Sequence, residues 1–279
     1  MVPVMQFDTP PDVSLLKIAM KGASALPADG RIPHIEARAS RLQRPVAEYA
    51  RLCGFASDQP LPLTFPDLMV RGLHLAVLTH PAFPLRLFGI IHTEQRIEAM
   101  RPLALGEPLS GRAWVSGPRP ARRGGEFDLH TEVLSGDDCV WRATTTILSR
   151  ALPGDGQKRV RPQPLPFVAN RSTVWDLSAD LGRRYSAVSG DHNPVHLWPL
   201  TARPFGFKRP IVHGWWTLAR AVAELDRDVS LPCVLTASFH APLPLPGRAS
   251  FTAGPAGAGR IRFDVRRKET CLSGAIAPA

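Results

Sequence analysis

The chain repeats its own plan once, and that repeat limits the folds open to it. Tyr49-Ala-Arg-Leu-Cys-Gly54-Phe55 lines up with Tyr185-Ser-Ala-Val-Ser-Gly190-Asp191 at an offset of 136 residues. Val70-Arg71-Gly72-Leu-His-Leu-Ala-Val-Leu then matches Val212-His213-Gly214-Trp-Trp-Thr-Leu-Ala-Arg at an offset of 142. Arg101-Pro102-Leu-Ala-Leu-Gly106 follows, matching Ala241-Pro242-Leu-Pro-Leu-Pro-Gly247 at an offset of 140. Each anchor alone is weak, but nearly constant spacing across three of them points to two related units. With 279 residues, each half is long enough to bury a core.

Both halves read in the same order. A helix opens at the glycine: Gly214-Trp-Trp-Thr-Leu-Ala-Arg-Ala-Val-Ala-Glu-Leu225 is apolar nearly all round and predicts a buried central helix. Strand-like runs follow at 88–97, 126–134 and 139–148 in the first half, the last two flanking Ser135-Gly136-Asp137-Asp138 as a hairpin. The second half repeats this at 234–240, 249–253 and 260–267. A long helix against an antiparallel sheet is an α+β layer arrangement. Pro153, Gly154, Gly156, Pro162, Pro164 and Pro166 mark a linker, so the expected division is 1–152, a linker at 153–166, and 167–279.

Composition excludes several classes. No stretch approaches the roughly 20 apolar residues of a membrane span, and the N-terminus does not read as a secretory signal. Cys53, Cys139, Cys233 and Cys271 stand apart, with no C-x-x-C pair and no adjacent His cluster. They read as thiols in a reducing cytoplasm, and neither a metal site nor a cofactor is expected. The net charge of +10 attracts phosphate, but Arg122-Arg123 and Arg266-Arg267-Lys268 carry no interleaved aromatic platform. Nucleic acid is therefore not the expected partner; an acidic one such as a thioester carrier fits better.

The chemistry gathers in Tyr185-Ser-Ala-Val-Ser-Gly-Asp191-His-Asn193-Pro194-Val-His196, followed by Pro210-Ile-Val-His-Gly214. Pro194 fixes its own φ and pushes Asn193 to extended geometry, so Asp191 and His196, five residues apart, can converge from one short loop on one water. A carboxylate and a neutral imidazole sharing a water can take a proton from it and return one on the same face of a double bond. A glycine opening a buried helix offers an N–H with the helix dipole behind it, a donor for an oxyanion. Gly-Asp and Asn-Pro alone would be ordinary turn chemistry. It is His196 and the second segment that raise the pattern above that.

These residues resemble the MaoC-type acyl dehydratases and (R)-specific enoyl-thioester hydratases of the hotdog fold. The match runs from Tyr185 to Leu225 through the S-G-D-x-N-P-x-H box and P-I-V-H-G, and extends to the strand entry at 242–247. The resemblance implies a double hotdog, each sheet wrapped around a long helix. It implies that Asp191 and His196 bind the catalytic water, that the Gly214 amide polarises the thioester carbonyl, and that Asn193 orders the box. The first half resembles the degenerate half of double-hotdog members: Phe55 stands where Asp191 would, and nothing replaces His196. It is expected to be non-catalytic and to accommodate the acyl chain, with Phe55 and Leu73 lining the pocket.

The expected substrate is an acyl-CoA or acyl-carrier-protein thioester, hydrated reversibly from the trans-2-enoyl to the (R)-3-hydroxyacyl form in fatty-acid metabolism. Two other readings stand beside this one: a hotdog acyl-thioesterase, and a non-catalytic acyl-thioester-binding protein. His213 reads as a structural hydrogen-bonder. Trp215 and Trp216 read as core, with Trp215 the candidate for contact with substrate. Arg203, Lys208 and Arg209 read either as a solvated face or as contacts for carrier phosphates. Two hotdog halves in one chain leave both a monomer and a homodimer open.

Overall fold

The computed structural model describes residues 4–13, 15–24, 26–27, 30–56, 60–157 and 166–279. Most of the expected linker, residues 158–165 with Pro162 and Pro164, lies outside the described residues. In chain order the first elements are β1 (Val4–Phe7), α1 (Leu15–Met20), β2 (Glu36–Ala39), α2 (Ala47–Cys53), α3 (Pro66–Met69) and α4 (Arg71–Thr79). Next come β3 (Ile91–Ala99), β4 (Ser110–Ala121), β5 (Gly124–Ser135), β6 (Asp138–Ser149), β7 (Arg171–Leu177) and α5 (Leu181–Ser189). The chain continues with α6 (Pro199–Ala202), α7 (Gly214–Ala223), β8 (Cys233–Phe239), β9 (Gly247–Pro255), β10 (Ile261–Arg266) and β11 (Thr270–Pro278).

The residues cluster into two compact units: Met1–Arg44 with Pro66–Gln163, and Pro45–Phe65 with Pro164–Ala279. The first carries strands in the order β1-β2-β4-β5-β6-β3, and α4 packs on β2 and β4. The second carries β8-β11-β10-β9-β7, with α7 against β10. Each is an antiparallel sheet holding a helix, apart from the parallel β1–β2 pair. This is the α+β hotdog plan in duplicate.

The repeat is visible in the helices. α2 and α5 end on Gly54 and Gly190, both in the left-handed region at φ 82° and 74°. A side chain there would be strained, so the aligned glycines are C-caps of equivalent helices. The aligned Tyr49 and Tyr185 are both fully enclosed, with ring centroids 6.4 Å apart within the second unit. α4 and α7 are the corresponding central helices, one in each unit. Leu73, Ala76 and Val77 are buried on the first, and Trp216, Leu218, Ala219, Ala221 and Val222 on the second.

The expected hairpin closes with Ser135 opposite Asp138, and the predicted strands at 88–97, 234–240, 249–253 and 260–267 appear with shifted ends. β1, β2, β4, β7 and β11 lie outside the strand-like runs of the sequence. β4 contains Gly117 and Pro118 although it lies between β2 and β5; both fall in the register shift between Ser116 and Arg119, where a missing N–H leaves no gap in the ladder. β11 is built largely of small residues. It is held between β8 and β10, and Phe263 lies so close over Gly274 that a Cβ there would collide with its ring.

Candidate active site

The candidate site lies in the second unit, where α5, the loop after it and the start of α7 converge. α5 carries the box on its C-terminal end, with Leu181, Gly182, Tyr185, Ser186 and Ser189 turned inward at helical spacing. Gly190 stops the helix, and Asp191-His-Asn193 leads into a 3₁₀ turn at Pro194–His196. Asn193 caps that turn in extended geometry (φ −56°, ψ 122°), its Oδ1 accepting from the Val195 N–H at 3.4 Å. Asp191 Oδ1 accepts from the Asn193 N–H at 3.2 Å, an Asx turn that fixes the carboxylate. The restriction of Asn193 by Pro194 is thus realised as expected.

The structure brings Asp191, His196 and His213 together, their ligating atoms all within 4.8 Å of one another. His196 Nδ1 is 2.8 Å from the carbonyl oxygen of Ile211. A carbonyl only accepts, so Nδ1 bears the proton and the lone pair is on Nε2. His213 Nε2 lies 3.0 Å from the carbonyl oxygen of Asp191, which puts its proton on Nε2. The two imidazoles stack with centroids 3.7 Å apart and an interplanar angle of 27°. Tyr185 packs on the other partner of this stack, its ring 4.9 Å from that of His213. A close Asp–His–His set can hold a water or a cation, and both imidazoles here are fixed through backbone carbonyls.

Gly214 is the first residue of α7, so its N–H has no acceptor within the helix. His213 precedes it in extended geometry and its carbonyl accepts from the Thr217 N–H at 3.1 Å. The segment before α7 is laced to its surroundings by Ile211 N–H to Val195 O (3.2 Å) and Val212 N–H to Leu243 O (2.8 Å). These bonds tie the box, the helix start and the strand entry at 242–247 into one frame.

The remaining predicted residues divide by unit. Trp215 is partly exposed on the first turn of α7, while Trp216 is buried, donates from Nε1 to the Leu52 carbonyl at 3.1 Å, and meets Trp175 edge-on. Phe55 is buried in the same unit, stacked at 6.3 Å on Tyr49. Leu73 is fully buried in α4 of the first unit. Arg203, Lys208 and Arg209 are exposed. All four cysteines are free, and burial raises their thiol pKa values.

Sequence reasoning passed over Gly182 and Ser186. A Cβ on Gly182 would collide with the carbonyl oxygen of His196. Ser186 Oγ donates to the Asp191 carbonyl at 2.6 Å. The available signal was the set of small residues at 182, 186 and 189 on the inward face of α5.

Comparison with known proteins agrees with this architecture. Residues 156–257 match the family model for the MaoC like domain. The chain is 31% identical over 240 residues to 3-hydroxyacyl-thioester dehydratase X of Mycobacterium tuberculosis, covering 85% of this chain and 86% of that protein. It is 29% identical over 189 residues to the peroxisomal enoyl-CoA hydratase 2 of Arabidopsis thaliana, covering 61% and 60%. Among solved structures, HtdX of M. tuberculosis superposes with a TM-score of 0.75 at 29% identity, over 87% of this chain and 99% of that one. A MaoC-like dehydratase from Phytophthora capsici shares the fold, with a TM-score of 0.70 at 22% identity over 90% and 97%. A fold of two hotdog units with an Asp–His box facing the start of a central helix defines the class. The chain belongs to the MaoC-like dehydratase family.

Proposed function

We propose that the protein is a hydro-lyase that adds water reversibly to trans-2-enoyl thioesters, giving (R)-3-hydroxyacyl thioesters in fatty-acid metabolism. The observation that carries the reading is the 2.8 Å contact of His196 Nδ1 with the Ile211 carbonyl, in a cluster with Asp191: a carbonyl only accepts, so Nδ1 carries the proton and Nε2 is the nitrogen that serves as base. Asp191 orients the water. His196 Nε2 takes one of its protons as the oxygen bonds to C3, and the π electrons move onto the thioester oxygen, where the Gly214 N–H meets the charge. The proton then returns to C2 on the same face. Atoms balance without a cofactor, and dehydration is the same path reversed.

Phe55 and Trp215 are assigned to the acyl chain. Phe55 ends a row of packed aromatic rings that runs through Tyr49, Tyr185 and His213 to His196, so the box is backed on that side by apolar residues. Each buried methylene contributes about 0.8 kcal/mol, so four more carbons raise specificity on the order of 10²-fold until the pocket is filled. An acyl-CoA or acyl-carrier-protein thioester supplies the substrate. A homodimer is compatible with the fold and is read by light scattering.

The test follows loss of the enoyl-thioester absorbance with crotonyl-, octenoyl- and dodecenoyl-CoA. Turnover without release of free thiol, rising with chain length, is expected. Release of free coenzyme A would instead indicate a thioesterase, and binding without turnover an acyl-binding protein. The product should give no reduced nicotinamide with an (S)-specific 3-hydroxyacyl dehydrogenase; efficient oxidation would refute the stereochemical assignment.

A further inference from the structure

Ser186 is 2% exposed, on the inward face of α5, and the mechanism above does not use it. Its Oγ donates to the Asp191 carbonyl at 2.6 Å, and His213 Nε2 donates to the same oxygen at 3.0 Å. The two donors are 3.5 Å from each other, so hydroxyl, imidazole and carbonyl form a closed triangle. The N–H of Asp191 is held as well, donating to Ser189 Oγ at 3.1 Å. Asp191 is therefore clamped at both main-chain groups by two serines one helical turn apart. The His213 ring, oriented by the shared carbonyl, is the platform on which His196 stacks at 3.7 Å.

We infer that Ser186 and His213 form a positioning pair that sets Asp191 and His196 in common register, without either partner touching the water. The pair rests on the hydratase reading and deepens it. The Asp191 carbonyl is the shared element. It fixes the direction of the carboxylate through its own peptide and the plane of His196 through His213. Displacement by a fraction of an ångström would misplace both groups that handle the water, and such misplacement lowers the rate of the chemical step more than substrate binding.

The experiment is a double-mutant cycle on Ser186→Ala and His213→Phe, the latter keeping an aromatic ring for the stack and removing the donor. Each single variant should lower kcat about 10-fold with KM within about twofold. The double variant should fall about 10- to 20-fold, far short of the roughly 100-fold expected for independent residues. Imidazole ¹⁵N spectra supply a readout independent of turnover. Wild type should show His213 as the Nε2–H tautomer, with its signal shifted or exchange-broadened in Ser186→Ala. Unchanged kcat in Ser186→Ala, multiplicative losses in the double variant, or a His213 signal indifferent to Ser186 would each overturn the pair. Lack of turnover by wild type would instead refute the hydratase reading, while the spectra still decide whether Ser186 governs His213. If His213→Phe does not fold, the kinetics and spectrum of Ser186→Ala decide alone.

Discussion

At the scale of single residues, the site divides into groups that handle the water and groups that fix them. Asp191→Asn and His196→Ala should each lower hydration about 10²- to 10⁴-fold, the range of a positioned acid or base, with melting temperature nearly unchanged. Near wild-type turnover in either would remove that residue from the mechanism. Gly182→Ala is a different kind of test. The added methyl must displace the His196 carbonyl or α5, at a cost of about 1–3 kcal/mol in stability and with loss of kcat beyond about 10-fold. Full activity in a stable Gly182→Ala would mean that the box tolerates movement. The first set was legible in the sequence because Asp, Asn-Pro and His at that spacing have few other uses. Gly182 and Ser186 were not, because their roles lie in contacts with backbone oxygens of residues 5 to 14 positions away. No side-chain chemistry announces such a contact.

At the scale of elements, the central helix of the second unit is held by a charged network. Glu224, the C-cap of α7, accepts from Trp175 Nε1 at 3.0 Å and Thr173 Oγ1 at 3.2 Å and pairs with Arg220 at 2.7 Å. Arg171 reaches the Glu224 carbonyl and pairs with Asp228 at 2.7 Å, which closes the helix end onto β7. Trp175 also lies 5.5 Å beneath the Arg220 guanidinium. The Glu224 side chain is 14% exposed and that of Arg220 25%, so solvent screens the pair only in part. Glu224→Ala should cost about 2–3 kcal/mol, below a fully buried pair, because it leaves Arg220 and the Trp175 N–H poorly matched. A urea midpoint equal to wild type would show the network to be ornamental. This network binds β7, which the alternating pattern of apolar residues does not reveal: Val174 is exposed and Trp175 buried, so the strand reads as mixed. The same holds for β4 and β11, where a bulge carries Gly117-Pro118 and a phenylalanine ring covers Gly274. Helix starts and hairpins were legible because they depend on local residues; these strands depend on distant partners. The placement of α2 with the second unit is likewise a matter of packing, set by Trp216 on Leu52 and Tyr49 on Tyr185.

At the scale of the molecule, the first unit buries two titratable groups whose pKa values move in opposite directions, and both contribute to how stability depends on pH. Asp67 on α3 is buried, and desolvation pushes its carboxyl up to about 7 from 3.8 against the pull of Arg71 and Arg44. His74 on α4, bonded through Nε2 to Thr131 Oγ1 at 2.8 Å, is held down at about 3 from 6.5 by burial and by Arg71. Between pH 4 and pH 7 the folded chain keeps a proton on Asp67 that the unfolded chain has released, so this group makes stability fall as pH rises. Between pH 3 and pH 6.5 the unfolded chain takes up a proton that folded His74 refuses, so this one makes stability rise with pH. Each contributes a slope of up to about 1.4 kcal/mol per pH unit, and over pH 4 to 6.5 the two oppose. Removing one should expose the other. Asp67→Asn should match wild type near pH 4 and gain on it progressively up to about pH 7. His74→Gln, neutral at every pH, should lose its disadvantage relative to wild type as the pH falls from 6.5 toward 4. Urea unfolding midpoints at pH 4, 5.5 and 8 measure both differences, and the two variants must tilt away from wild type in opposite directions. Parallel shifts at all three pH values would mean that both groups titrate alike in the folded and unfolded chain, and that burial governs neither.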